Sequence, residues 1–208
     1  MRLVSTNVGR REPIDTKIGV TGIYKRPVDG TVAVTRLGID GDAICDTASH
    51  GGIEQAVYLY STGDYAWWSA ELGQDVLPGT FGDNLTIDGF LSADVCVGDR
   101  FSIGDVELEA TSPRIPCLTL ARRMDDKQFV KRFMEAERPG VYCRVLREGP
   151  LEAGLDVGHT PFSGPRVTML ETFRRIRDND YDDEAIELFF AVPLNARIRN
   201  ELDARRTS

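Results

Sequence analysis

Cysteine is scarce in this 208-residue chain. Its four copies are Cys45, Cys96, Cys117 and Cys143, and the nearest pair, Cys96 and Cys117, is 21 residues apart. No C-x-x-C exists, which argues against a zinc or iron–sulfur site built from local spacing. Reduced thiols in a cytosolic, cytoplasmic protein are the expectation. No run of about 18 apolar residues occurs, so no membrane span is expected. The opening MRLVSTNVGRREP has no apolar signal-peptide core. Basic residues are outnumbered, 25 Lys and Arg against 33 Asp and Glu, for a net charge of −8 with no basic stripe. Nucleic acid is therefore not expected as the main partner. P-loop, G-x-G-x-x-G and nucleophile-elbow patterns are missing as well.

What remains is ordinary for a globular protein: 41% apolar and 28% charged residues, in a chain long enough for a substantial core. Residues 1–165 read as β-rich. RLVSTNV alternates, KIGVTGIYK and GTVAVTRLG are short β-branched runs broken by glycine, and QAVYLY is a strong strand. RFSIGDVELEAT places two runs around Gly104-Asp105, a hairpin signal, and GVYCRVLREG is a further strand. Such density of strands and glycine turns points to an antiparallel barrel or sandwich. Two helices interrupt it. STGDYAWWSAELG has Ser61 or Thr62 as N-cap and Gly73 as stop. DDKQFVKRFMEAERPG carries an apolar face through Phe129, Val130, Phe133 and Met134. One indole of Trp67-Trp68 is expected in the core.

The pattern changes near residue 166. Thr168-x-x-Glu171 is a capping box, DDEAIELFFAV starts a second helix, and Pro193 suits the first turn of a third along Leu194, Ile198 and Leu202. Residues 166–208 thus read as a three-helix extension that must pack on something to persist. GHTPFSGP (158–165) reads as the linker, with His159 exposed in it.

Three stretches could carry chemistry. In TSPRIPC, Pro113 and Pro116 stiffen the backbone. Arg114 offers five fixed donors for an anion, and Cys117, near a cation, would form a thiolate and a better metal ligand. The plainer reading buries Cys117 in a proline-rich turn. In HGGIEQAVYLY, His50 precedes Gly51-Gly52, whose backbone can approach a ligand or cup an anion. It also reads simply as a tight turn with a polar loop residue. PGTFGDNL, with Gly82 and Asn84, is either a second ligand loop or a turn. Cys45, Cys96 and Cys143 read as packing residues, and Asp42 as a turn residue.

Taken in order, GIYKRPV, LGIDGD, HGG, FGDNL, VGDRFSIGDVELEATSPRIPC and GVYCRVLREG resemble the motif series of MOSC domains. That family is named for the C-terminal domain of molybdenum cofactor sulfurase. The likeness covers about residues 1–165, and the helical end resembles the three-helix extension of the YiiM-like branch. The resemblance implies an α+β fold, a mainly antiparallel β-barrel with a small helical C-terminal extension. It implies a molybdenum–pterin cofactor, the molybdenum cofactor. Cys117 matches the cysteine that ligates molybdenum, and so would be both catalytic residue and metal ligand. Arg114 and Ser112 would border the cofactor, and Lys25 would lie near its phosphate. His50, Gly51 and Gly52 match one cofactor-binding loop, and Gly82 and Asn84 match the other. Two departures stand out: Asp83 occupies a usual glutamate position, and Leu155 is inserted between Gly154 and Asp156.

The implied activity is reduction of N-hydroxylated compounds, such as hydroxylaminopurines. The electrons would come from a separate reductase docking on the acidic surface. Homodimer formation is left open. A different class of function is a cofactor-binding or sulfur-carrier module in which Cys117 holds a persulfide. A third reading is a barrel that has lost its cofactor and serves as an interaction domain.

Overall fold

The computed structural model describes residues 1–47 and 50–206. Strand β1 (Arg2–Val8) leads into β2 (Glu12–Pro13), β3 (Val20–Thr21), β4 (Arg26–Pro27), β5 (Val32–Thr35) and β6 (Gly38–Ile39). Next come β7 (Val57–Ser61), helix α1 (Thr62–Leu72) and β8 (Leu85–Asp88). The hairpin of β9 (Arg100–Ile103) and β10 (Val106–Ser112) precedes α2 (Leu118–Arg123) and α3 (Phe129–Ala136). Then follow β11 (Val141–Arg147), β12 (Gly149–Leu151), β13 (Val157–Thr160), α4 (Met169–Asp178), α5 (Asp183–Phe190) and α6 (Ala196–Arg206).

Eight strands form one sheet in the order β13-β9-β10-β11-β7-β8-β1-β4. Its pairs are antiparallel except β7 with β8, which are parallel and joined by the α1 crossover. The sheet curls until β1 meets the segment entering β13. The Leu3 amide donates to the Leu155 carbonyl at 2.9 Å, the Gly154 amide to Leu3 at 2.7 Å, and the Val157 amide to Met1 at 3.0 Å. The inserted Leu155 therefore sits in the seam that closes the barrel. The fold is the α+β, mainly antiparallel barrel with C-terminal helices that the motif series implies.

Alternation makes these strands. In β9 the pattern Arg-Phe-Ser-Ile exposes its first and third residues and buries its second and fourth. The inward side chains build a barrel core that also takes in Met169, Ile186, Phe189, Leu194 and Leu202 from the C-terminal helices. A second, aromatic cluster lies under α1 and α3, around Trp68, Phe81, Phe129, Phe133 and Phe173. Trp68 is fully buried and its indole N–H donates to the Tyr60 hydroxyl at 2.8 Å.

Helix ends follow their caps. Ser61 Oγ accepts from the Asp64 amide at 2.9 Å and Gly73 ends α1 in the left-handed region. Thr168 Oγ1 accepts from the Glu171 amide at 3.0 Å. Three expectations are corrected. Residues 157–160 are a barrel strand on β9, and the start of 158–165 is not linker. His159 there is exposed, as expected, with its Nε2 2.9 Å from Asp99 and its ring stacked on Phe101. The 17–25 run forms only the short β3 before β4, because Gly22 comes so near Ala43 that a Cβ would lie 1.7 Å from its carbonyl oxygen. Helix α6 starts at Ala196, its N-cap being Asn195, whose Oδ1 accepts from the Arg197 amide at 2.9 Å. Pro193 belongs to the turn before.

Candidate functional site

A cleft of about 730 Å³, its open mouth included, lies between the 16–25 segment, residues 42–46 and 50–51, and the ends of β7 and β10. Its walls include Lys25, His50, Gly51, Gly82, Asn84, Arg114 and Cys117. Segments from Thr16 to Tyr142, far apart in the chain, thus converge on one space. Ser112 and Gly52 do not line it. Ser112 is buried on β10 opposite Tyr142, and Gly52 is exposed beyond the turn.

Cys117 is the N-cap of α2, and its carbonyl accepts from the Leu120 amide at 3.0 Å. The proline-framed stretch from Pro113 to Pro116 delivers it there from β10. Its Sγ lies 3.8 Å from His50 Nε2. Burial pushes the thiol pKa up, but the His50 contact, the Arg114 charge and the Leu120 amide outweigh it and lower the value to about 6. Cys143 and Cys96, buried elsewhere, are pushed up by burial and stay thiols. Among the described residues no cysteine is in a disulfide.

Arg114 is buried beside that sulfur. Its Nη1 donates to the Phe81 carbonyl, and its guanidinium lies over the Tyr58 ring, 5.2 Å from the centroid. Burial works against its charge, yet Tyr142, Tyr58 and Cys117 keep its pKa above the ordinary arginine range. Gly82 is needed next to it: with φ +75°, it sits where a Cβ would be 3.2 Å from Arg114 Nη1. Burial raises the pKa of Tyr58 and Tyr142, so both remain phenols.

Lys25 is buried and paired through Nζ with Asp42 Oδ2. Burial lowers its pKa, and Asp42 partly restores it. The same Asp42 oxygen accepts from Asn84 Nδ2 at 2.9 Å, while Oδ1 accepts from the Gly9 amide at 2.8 Å. Asn84 Oδ1 in turn accepts from the Tyr58 amide at 3.1 Å. Asp42 is thus a hub of the site, more than a turn residue, and LGIDGD was its only sequence trace. Cys45 is another correction: it is half-buried on the cleft wall instead of packed away. Gln55, Tyr58 and Tyr142 also line the cleft; they lie within HGGIEQAVYLY and GVYCRVLREG but are not singled out there. Asp83 is fully buried behind it, accepting from the Tyr65 hydroxyl and, at 2.7 Å, from Thr86 Oγ1.

The arrangement combines a soft thiolate donor, two buried cations and flanking phenols in one recess. Among the described residues no three His, Cys, Asp or Glu side chains gather to hold a metal. Any metal held here would need most of its ligands from a cofactor. No described helix is long and apolar enough to cross a membrane.

Comparison with known proteins adds to this geometry. A family model described as the MOSC domain matches residues 46–158. Uncharacterized protein YflK of Bacillus subtilis (strain 168) is 33% identical over 157 residues, covering 74% of this chain and 71% of that protein. A protein of Gibberella moniliformis (strain M3125 / FGSC 7600) named Reductase is 34% identical over 163 residues, 76% of this chain but 28% of the fungal protein. The crystal structure of YiiM from Geobacillus stearothermophilus superposes with a TM-score of 0.81 at 25% identity, covering 98% of both chains.

Proposed function

The chain belongs to the MOSC domain family, and from that premise we propose that it is a molybdenum-cofactor-binding oxidoreductase reducing N-hydroxylated compounds. The observation that carries the reading is the Cys117 thiol, lowered to about 6 and placed on the wall of an open cleft that Arg114, Lys25 and His50 also line. The donor set fits the cofactor. A single thiolate suits a soft metal whose other sulfurs come from a pterin. Arg114 and Lys25 supply positive charge for a phosphate or an anionic metal centre.

When bound, the cofactor would supply a two-electron metal centre able to take oxygen from nitrogen. The chain's own residues do the rest. Cys117 would hold the metal through Sγ, and the prolines that frame it limit its motion. Arg114 and His50 stabilise that sulfur as thiolate. Asp42 fixes Lys25 and Asn84 along the opposite wall. In the net reaction one N–O bond breaks, two electrons and two protons are taken up, and water leaves. The electrons come from a separate reductase, consistent with a reductase-named relative far longer than this chain. Ser112 and Gly52 act in this reading only by supporting the walls. Residues 1–165 carry the cleft, residues 166–208 form the packing extension, and the protein works in the cytoplasm.

The test is Cys117→Ala, purified from a molybdenum-replete host. Bound molybdenum and hydroxylamine reduction should both fall to background. Unchanged metal content and rate would exclude the mechanism. A persulfide at Cys117 in wild-type protein without molybdenum would favour the sulfur-carrier class.

A further inference from the structure

Two side-chain polar atoms of cleft residues have no hydrogen-bond partner among the described residues, the Arg114 Nε donor and the Gln55 Oε1 acceptor. Gln55 Oε1 is shut off from solvent and accepts no hydrogen bond from the described residues, yet Gln55 lines the cleft with Cys117, Arg114 and Lys25. A buried acceptor without a donor is destabilising, and a mere spacer here would be apolar, as the next residue Ala56 is. Native orphans of this kind call for an explanation, a bound group being a common one.

The backbone presents the carboxamide firmly. The Gln55 amide donates to the Gly52 carbonyl at 3.2 Å, closing the 53–55 turn. On the other side of that turn, Glu54 accepts from the Ala196 amide at 2.5 Å and pairs with Arg144 at 3.2 Å. The C-terminal helices therefore brace the turn while Gln55 faces the cleft. Lys25 is held by Asp42, and the Arg114 Nε donor is left for an anionic group of the ligand. Gln55 Oε1 is the unmet neutral acceptor, and its complement is an N–H donor.

We propose that Gln55 reads the bound ligand: its Oε1 accepts a hydrogen bond from a ring or amino N–H of a nitrogen heterocycle seated beside Cys117. This deepens the function proposed above and rests on it. Two molecules bring such an N–H, the pterin of the cofactor and an N-hydroxylated purine substrate.

The experiment compares wild-type, Gln55→Leu and Gln55→Glu proteins from a molybdenum-replete host. The readouts are extracted pterin, melting temperature, and steady-state kinetics with 6-hydroxylaminopurine and with hydroxylamine. Gln55→Leu removes an orphan and should melt no lower than wild type. A severalfold loss of pterin at unchanged melting temperature, restored by Gln55→Glu, supports the proposal with the cofactor as N–H source. Unchanged pterin with KM for 6-hydroxylaminopurine raised about tenfold, kcat kept and KM for hydroxylamine unmoved, supports it with the substrate as source. Pterin and both KM values within about twofold of wild type overturn it. So does a pterin loss that only tracks a fall in melting temperature. Wild-type protein without pterin and without turnover removes the proposed function, and Gln55's role with it.

Discussion

Cys117 stands apart from the other buried cysteines because opposing forces meet at its sulfur. Desolvation favours the thiol, whereas His50, Arg114 and the Leu120 amide favour the thiolate and win. Alkylation of Cys117 by iodoacetamide in the cofactor-free protein should therefore be half-maximal near pH 6. In His50→Ala that midpoint should move upward, toward the ordinary thiol range near 8.5. A midpoint near 8.5 in both proteins would show that the surroundings do not hold the thiolate. The linkage has a definite sign. A folded pKa below the unfolded one means the unfolded chain binds more protons between the two values. Stability from this group is present above the unfolded pKa and is lost as pH falls through about 6. Much of the site could be read from single residues. Cys117 follows two prolines that restrict the backbone, His50 precedes two glycines that free it, and Gly82 is the residue type that a positive φ favours. Asp42 and Gln55 could not be read. Asp42 matters because it reaches Asn84, 42 positions away, and Gln55 because a turn closes behind it; neither fact has a local signature.

Among the elements, those with strong local chemistry were readable. The β9–β10 turn has Gly104 at φ +55°, as a two-residue hairpin loop demands. The start of α4 has its threonine cap. Thr168→Ala should cost about 1 kcal/mol, seen as a lower urea midpoint with an unchanged slope, and Thr168→Ser should recover most of it. An unaffected midpoint would mean that the main-chain pairing of Cys96 with Thr168, not the cap, starts the helix. Strand β13 shows the opposite case. Only Val157 of Val-Gly-His-Thr is buried, so it has almost no apolar alternation, and its extended form comes from hydrogen bonding to β9. The 17–25 run fails for a related reason. Its β-branched residues favour a strand, but the segment folds over the cleft, and Gly22 must pass close to Ala43.

Across the molecule, barrel and C-terminal helices share one interior. The Val97 amide donates to the Val167 carbonyl at 2.8 Å and the Met169 amide to the Val95 carbonyl at 2.7 Å, so the segment before β9 holds the chain as it enters α4. Phe173 joins the aromatic cluster that contains Trp68, while Phe189 and Leu202 join the barrel core. At the far end, α6 meets the Glu54 turn that follows His50 and the two glycines. A helix of eleven residues has little stability alone, so α6 persists through this burial, and the cleft gains a braced wall in return. Shared cores unfold together. Leu202→Ala empties a fully enclosed site in α6 and should cost about 3 kcal/mol. Tryptophan fluorescence, which reports Trp67 and Trp68 in α1, and far-ultraviolet circular dichroism should shift to the same lower midpoint. If the circular dichroism transition moves down while fluorescence stays in place, the helices melt as a separate unit, and the turn presenting His50 and Gln55 is not held by them.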